Sequence, residues 1–211
     1  MKNLFFGDSL TSGENNDGKS FVEYIPHSEK VGVSGTTIGE YSIYPVDGYS
    51  LLSQIPRNIE KIKKAENIFL EYGINDTSSM ITRYTEGYKI TMSFIKAIDH
   101  IKQVNPKANI YILSARNAIR GFSETQTKYL NNVYMKGYVE EKFSPQDWAG
   151  AYAGLCQFVF EASKLKIIEM FSSTEEYLDT LDKDNMHPND EGYQSIAANI
   201  KKELYKEWRI A

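Results

Sequence analysis

Four short segments carry residue types that together suit acyl transfer: Gly7-Asp8-Ser9-Leu10, Ser34-Gly35-Thr36-Thr37, Gly73-Ile74-Asn75-Asp76 and Asp184-Asn185-Met186-His187-Pro188. Ser9 supplies a hydroxyl that becomes a nucleophile once a base takes its proton. His187 is a fitting base, because imidazole exchanges protons near neutral pH. Asp184, on the same segment, can hold the ring's other nitrogen and fix its tautomer, as in a Ser-His-Asp triad. Gly35 has no side chain, so its backbone N–H can come close to a developing oxyanion. The Asn75 amide and the Ser9 N–H offer two further donors, each such donor typically contributing about 2.7–4 kcal/mol.

Each residue also has a plain structural reading. Ser9 at a helix start can be an N-cap, and so can Asn75 or Asp76 for the helix that follows them. Gly35 fits a turn that needs positive φ. Asp184 and His187 can be polar residues leading into the last helix, with Asn189 or Asp190 as its cap. Asp8 fits a brace for its loop better than a part in the chemistry. What favours chemistry is the joint placement of the four segments, which depends on the elements between them.

Those elements alternate. Leu4 to Phe6, Lys30 to Val33, Asn67 to Glu71, Asn109 to Leu113 and Lys166 to Glu169 read as five short buried strands. Leu51, Leu52, Ile55, Ile59 and Ile62 share one helical face, as do Phe94, Ile95, Ile98 and Ile101. Ser144-Pro145 predicts an N-cap with Pro at the first helical position, opening a helix through about Ser163. Tyr193, Ile196, Ala197, Ile200 and Leu204 mark the last helix. Strand and helix in alternation imply parallel strands joined by crossover helices, hence a three-layer α/β/α sandwich. Ligands of such sheets bind at the carboxyl ends of the strands, where the four segments stand.

Composition narrows the alternatives. The 211 residues are 41% hydrophobic and 25% charged, with a formal net charge of −4 and no long basic block, which argues against a nucleic-acid or anionic-membrane partner. No internal repeat or composition break marks a second domain, so one domain over 1–211 is expected. A single cysteine, Cys156, sits among Leu155, Phe158 and Val159 and reads as a buried thiol. The opening residues hold too few apolar positions for a signal peptide. The window Ala149 to Phe160, interrupted by Gln157, falls short of the ~20 residues that span a bilayer. A cytoplasmic, membrane-free protein is expected. Metal and cofactor are expected to be absent. Among Asp184, His187, Asp190 and Glu191 there is one His and no metal-ligand spacing.

Gly7-Asp8-Ser9-Leu10, Gly35, Gly73-x-Asn75-Asp76 and Asp184-x-x-His187-Pro188, in that order, resemble the four blocks of the GDSL/SGNH hydrolases. The resemblance spans residues 7 to 188. It implies a flavodoxin-like sandwich with a five-stranded parallel sheet and metal-free hydrolysis of esters and thioesters. By block, Ser9 is the implied nucleophile, His187 the base with Asp184 as its partner, and Ser9, Gly35 and Asn75 the oxyanion donors. Residues 114 to 163 match nothing in those blocks and form a variable segment.

The resulting expectation is a serine esterase acting on short-chain acyl esters, such as O-acetyl groups, of a carbohydrate or small metabolite. The short acyl group is inferred from the lack of an evident apolar lid. The same triad serves an acyltransferase if an alcohol replaces water. In another class, Ser9, Thr11, Ser12 and Gly13 could cradle a phosphate or FMN in a flavodoxin-like binding module. Tyr41, Tyr44 and Tyr49 follow Gly35, where they either overhang the site or pack half-buried. Arg116 and Arg120 either read an anionic substrate or stand solvated. His27 reads as a surface-loop residue, and His100 as a solvated residue opposite its helix's apolar face.

Overall fold

The computed structural model describes residues 2–40, 49–82, 85–134 and 143–208. The five strands are β1 (Asn3–Gly7), β2 (Ser28–Gly32), β3 (Asn67–Glu71), β4 (Asn109–Ser114) and β5 (Lys166–Glu169). They form one parallel sheet in the order β2-β1-β3-β4-β5. The helices are α1 (Ser9–Ser12), α2 (Leu51–Arg57), α3 (Ile59–Lys64), α4 (Ile74–Ile81), α5 (Gly87–Val104), α6 (Arg116–Arg120), α7 (Glu124–Tyr134), α8 (Pro145–Leu155), α9 (Thr174–Asp179) and α10 (Asp190–Trp208). The α/β sandwich and its five parallel strands are those expected, and each strand lies within two residues of its predicted bounds.

Both faces of the central strands are buried, which is why they read as continuous apolar runs. Phe5, Phe69 and Tyr111 are register partners on β1, β3 and β4. Their rings stack across the sheet at 4.4 and 5.0 Å between centroids. Leu4, Phe6, Ile68, Leu70, Ile110 and Ile112 fill the other face. At the amino-terminal edge, Asn3, Asn67 and Asn109 stand in register and join their side chains: Asn67 Nδ2 donates to Asn3 Oδ1 at 3.0 Å, and Asn109 Nδ2 to Asn67 Oδ1 at 3.1 Å.

Two helical stretches depart from the sequence pattern. The segment from Leu51 to Ile62 is two helices rather than one continuous face. Pro56 lies inside α2, and the chain breaks at Asn58, whose side chain donates to the Gln54 carbonyl. Proline removes a backbone donor and blocks the preceding turn, so the phase is lost and Ile59 is turned outward. On α5, Phe94 and Ile101 are buried as expected, but Ile95 is exposed and His100 half-buried. Ser144 caps α8 in a capping box with Asp147. The α-helix stops at Leu155, and the chain reaches Ser163 through a π-helical turn and a 3₁₀ turn. Cys156 is fully buried and His27 exposed, both as read.

The sheet order reverses between β1 and β3, and a crevice at the carboxyl ends of those strands is where such folds hold ligands. The helix carrying Ser9 is pressed against β2 there. A Cβ on Gly32 would lie 2.5 Å from the Ser12 backbone N and 2.8 Å from its Cα, so only glycine admits this approach. Because the clash is with backbone, Gly32→Ala is expected to lower the unfolding free energy by about 1–3 kcal/mol, read as a fall in the urea midpoint.

Candidate active site

Three of the expected site residues open on one cavity. Ser9, Gly35 and His187 line a space of about 250 Å³ beneath α6 and α7. Ser9 is the first residue of α1, and the Asp8 side chain caps that helix by accepting from Leu10 N. Gly35 holds φ +76°, the left-handed conformation that favours glycine. Neither the Ser9 N–H nor the Gly35 N–H has an acceptor among the described residues.

His187 and Asp184 form a dyad. The ring Nδ1 lies 2.6 Å from Asp184 Oδ2. Asp184 Oδ1 accepts from the backbone N–H groups of Met186 and His187, at 2.9 Å each. Burial works to raise the Asp184 carboxyl, but the His187 ring and these N–H groups outweigh it and hold the group below the usual carboxylate value. The carboxylate therefore stays charged and fixes the ring tautomer that leaves Nε2 as an acceptor. The loop itself is closed by a bridge between Leu181 and Pro188 and by Asp182 N donating to the His187 carbonyl at 2.8 Å. The Ser9 hydroxyl donates to Asp8 Oδ1 across a long 3.5 Å. No hydrogen bond joins it to His187 here, and such contacts often tighten only when substrate binds.

Asn75 lies one layer deeper. Its Nδ2 donates to Asp8 Oδ2 and to the Thr36 carbonyl, both at 2.9 Å, and the residue is buried. Both amide hydrogens thus already have acceptors, and the residue reaches an oxyanion only by releasing one of them. Free donors at the cavity include the backbone N–H groups of Ser9 and Gly35. Asp8 is the brace expected of it.

Three contributors escaped the sequence reading. Asn15, at φ +61° in the loop after α1, donates from Nδ2 to Asp184 Oδ2 at 2.6 Å. Tyr129 on α7 sets its ring edge-on to His187 at 6.4 Å. Glu71, the last residue of β3, is fully buried behind Ser9 and accepts from Asp8 N at 3.1 Å and Thr11 Oγ1 at 3.0 Å. The polar residues in Gly13-Glu14-Asn15-Asn16-Asp17-Gly18 were a signal for Asn15. Glu71 as the charged end of an apolar strand was a signal for a buried acid. The aromatic expectations divide. Tyr49 is exposed beneath the Arg57 guanidinium, whereas Tyr41 and Tyr44 lie outside the described residues. Arg116 is paired with Glu161 at 2.8 Å rather than free in solvent, and Arg120 is exposed.

The phosphate-cradle reading meets an obstacle. Asp8 N is bound to Glu71, Ser12 N to the Asp8 carbonyl and Gly13 N to the Ser9 carbonyl, so these donors are already taken. Two carboxyl groups also lie beneath the turn. Burial drives the Asp8 carboxyl up to about 6, against hydrogen bonds from Glu71 and Leu10 and the nearby His187. Burial and then the Asp8 charge push Glu71 well above the usual carboxylate value. A group whose folded value is raised stabilises the fold below its unfolded value and loses that contribution as pH rises through the folded value. Glu71→Gln removes this dependence. The melting temperature of the variant relative to the parent is therefore expected to improve as pH rises above the ordinary glutamate value of ~4.3, followed by calorimetry.

The family model of the GDSL-like Lipase/Acylhydrolase family matches residues 5–195. The uncharacterized protein YpmR of Bacillus subtilis (strain 168) is 24% identical over 95% of this chain and 80% of its own length. Among solved structures, TesA superposes with a TM-score of 0.61 at 14% identity, covering 97% of this chain and 98% of its own. A carbohydrate acetylesterase family member from Sinorhizobium meliloti gives 0.59 at 15% identity, covering 98% of each. These two likenesses speak for the fold. With the motif blocks in order, the strand-end placement of Ser9 and His187 and a family match over nearly the whole chain, the protein belongs to the GDSL-like lipase/acylhydrolase family and is a carboxylic ester hydrolase.

Proposed function

We propose that the protein cleaves acyl esters of a carbohydrate or small metabolite through an acyl-enzyme on Ser9. The observation that carries the reading is the Asp184–His187 dyad at 2.6 Å opening on the same cavity as Ser9. His187 Nε2 takes the Ser9 proton as Oγ bonds to the ester carbonyl carbon, and the carbonyl electrons move onto oxygen. That oxyanion is received by the Ser9 and Gly35 N–H groups, joined by Asn75 when its amide leaves the Thr36 carbonyl. Collapse of the tetrahedral state breaks the bond to the alcohol oxygen, which leaves with the proton from His187. Water then repeats the sequence on the acyl-enzyme and restores Ser9.

p-Nitrophenyl acetate, a small activated ester, is the first probe. Ser9→Ala is expected to abolish enzymatic turnover of that ester, and Asp184→Asn to lower kcat roughly 10⁴-fold by misplacing the tautomer. Equal turnover in Ser9→Ala and the parent sinks the reading. The base must be neutral to act, so kcat/KM is expected to fall toward acid pH, and a flat profile between about pH 5 and about pH 9 counts against His187.

Asn75→Ala distinguishes a donor from a brace. As a donor, Asn75 changes kcat by roughly 10²–10³-fold with little change in KM. A brace alone shows itself mainly as a lower melting temperature.

A further inference from the structure

The cavity changes character away from Ser9. Its polar lining, which includes Glu14, Ser34, Glu71 and His187, gathers around the reacting hydroxyl. Beyond it the wall is hydrocarbon and aromatic: Ile74 of α4, Ala118 and Ile119 of α6, and Leu130 and Val133 of α7. Tyr152 and Tyr177 also line this space, yet their hydroxyls are engaged in the protein. Tyr152 Oη accepts from Ala115 N at 3.0 Å, and Tyr177 Oη donates to the Met186 carbonyl at 2.9 Å. A polar alcohol placed there would lose its hydrogen bonds to water without replacement. An acyl chain has none to lose.

We propose that this chamber is an acyl-chain site selecting straight chains of medium length, with residues 115–133 as its chain-length determinant. The inference rests on Ser9 as the nucleophile, because the scissile carbonyl must sit between Ser9 Oγ and the Ser9 and Gly35 N–H groups. From there the acyl tail enters the apolar chamber, and the alcohol leaves on the side of His187, Asn15 and Glu14. A methylene fills about the ~30 Å³ that a water molecule takes in the liquid, so the cavity of about 250 Å³, its polar end included, limits the acyl group to at most roughly eight carbons. The expectation of a short acyl group rested on the absence of an apolar cover. The wall formed by α6 and α7, inside the segment that matched no motif, removes that ground.

Two measurements test the assignment. The first compares methyl octanoate with heptyl acetate, isomers of equal polarity that differ only in which side of the ester carries the chain. The octanoate is expected to give the higher kcat/KM by roughly tenfold or more, since each methylene buried is worth up to roughly fourfold. The second is a p-nitrophenyl ester series from acetate through octanoate to palmitate. Rates are expected to rise to about the octanoate and fall by the palmitate. Ala118→Phe, and independently Val133→Phe from the facing helix, are expected to reduce the octanoate-to-acetate ratio roughly tenfold. Either variant suffices if the other does not fold.

Heptyl acetate cleaved as fast as methyl octanoate, acetate favoured over octanoate, a rate still climbing at palmitate, or an unchanged ratio in the folded variants overturns the acyl site. Ser9→Ala, run alongside, separates this from the proposed esterase function itself. Hydrolysis that depends on Ser9 without chain selection removes the chamber assignment alone, whereas hydrolysis that survives Ser9→Ala removes both.

Discussion

The site depends on a carboxyl group held without solvent. Asp8 is fully buried, and its polar atoms are all engaged. The backbone N–H goes to Glu71, Oδ1 receives Leu10 N and the Ser9 hydroxyl, and Oδ2 receives the Asn75 amide. A single side chain thus caps the helix that carries Ser9 and ties it to the segment after β3. Such an arrangement stands only because the surroundings supply hydrogen bonds in place of water. Glu71 completes it from the strand side, its carboxyl pushed well above the usual value by burial and by the Asp8 charge. The aspartate before the serine is therefore the point on which strand, helix and amide converge.

The second organising element is α7. Its Gln126 Nε2 donates to the Asn185 carbonyl at 3.0 Å, its Tyr129 meets the His187 ring, and its Leu130 and Val133 face the cavity. The same helix that closes the chamber thus holds the loop that positions the base. Displacement of α7 would alter acyl space and imidazole position together. On the far side, Asn15 reaches across to Asp184 from the loop after α1, so the dyad is gripped from two distant segments of the chain.

Much of this was legible in the residues because strand-end chemistry is local. The five strands follow from apolar runs, and Ser9, Gly35 and His187 each stand within a few residues of an element whose phase is unambiguous. Ile59 and Ile95 were harder. Periodicity counts positions as if a helix were continuous and one-sided, and Pro56 with Asn58 interrupts that count. Asn75 was assigned from its type, but the groups that would occupy its two amide hydrogens come from segments far away in the chain. The chamber was invisible for the same reason. Ile74, Ala118, Val133, Tyr152 and Tyr177 form a wall only after the crossovers from β3 to β4 and from β4 to β5 bring them together, and no linear pattern records that. Tyrosines become apolar surface once their hydroxyls are bound internally.

At the opposite end of the sheet, Asn3, Asn67 and Asn109 link β1, β3 and β4 side chain to side chain. A strand that slipped by one residue would turn its asparagine to the other face and leave its neighbours' amides unmatched. Three identical polar side chains therefore act as an alignment key, rejecting misassembled pairings at an edge remote from the reacting groups. Correct threading is enforced at one pole of the molecule, which leaves the loops at the other pole free to be exchanged without endangering it.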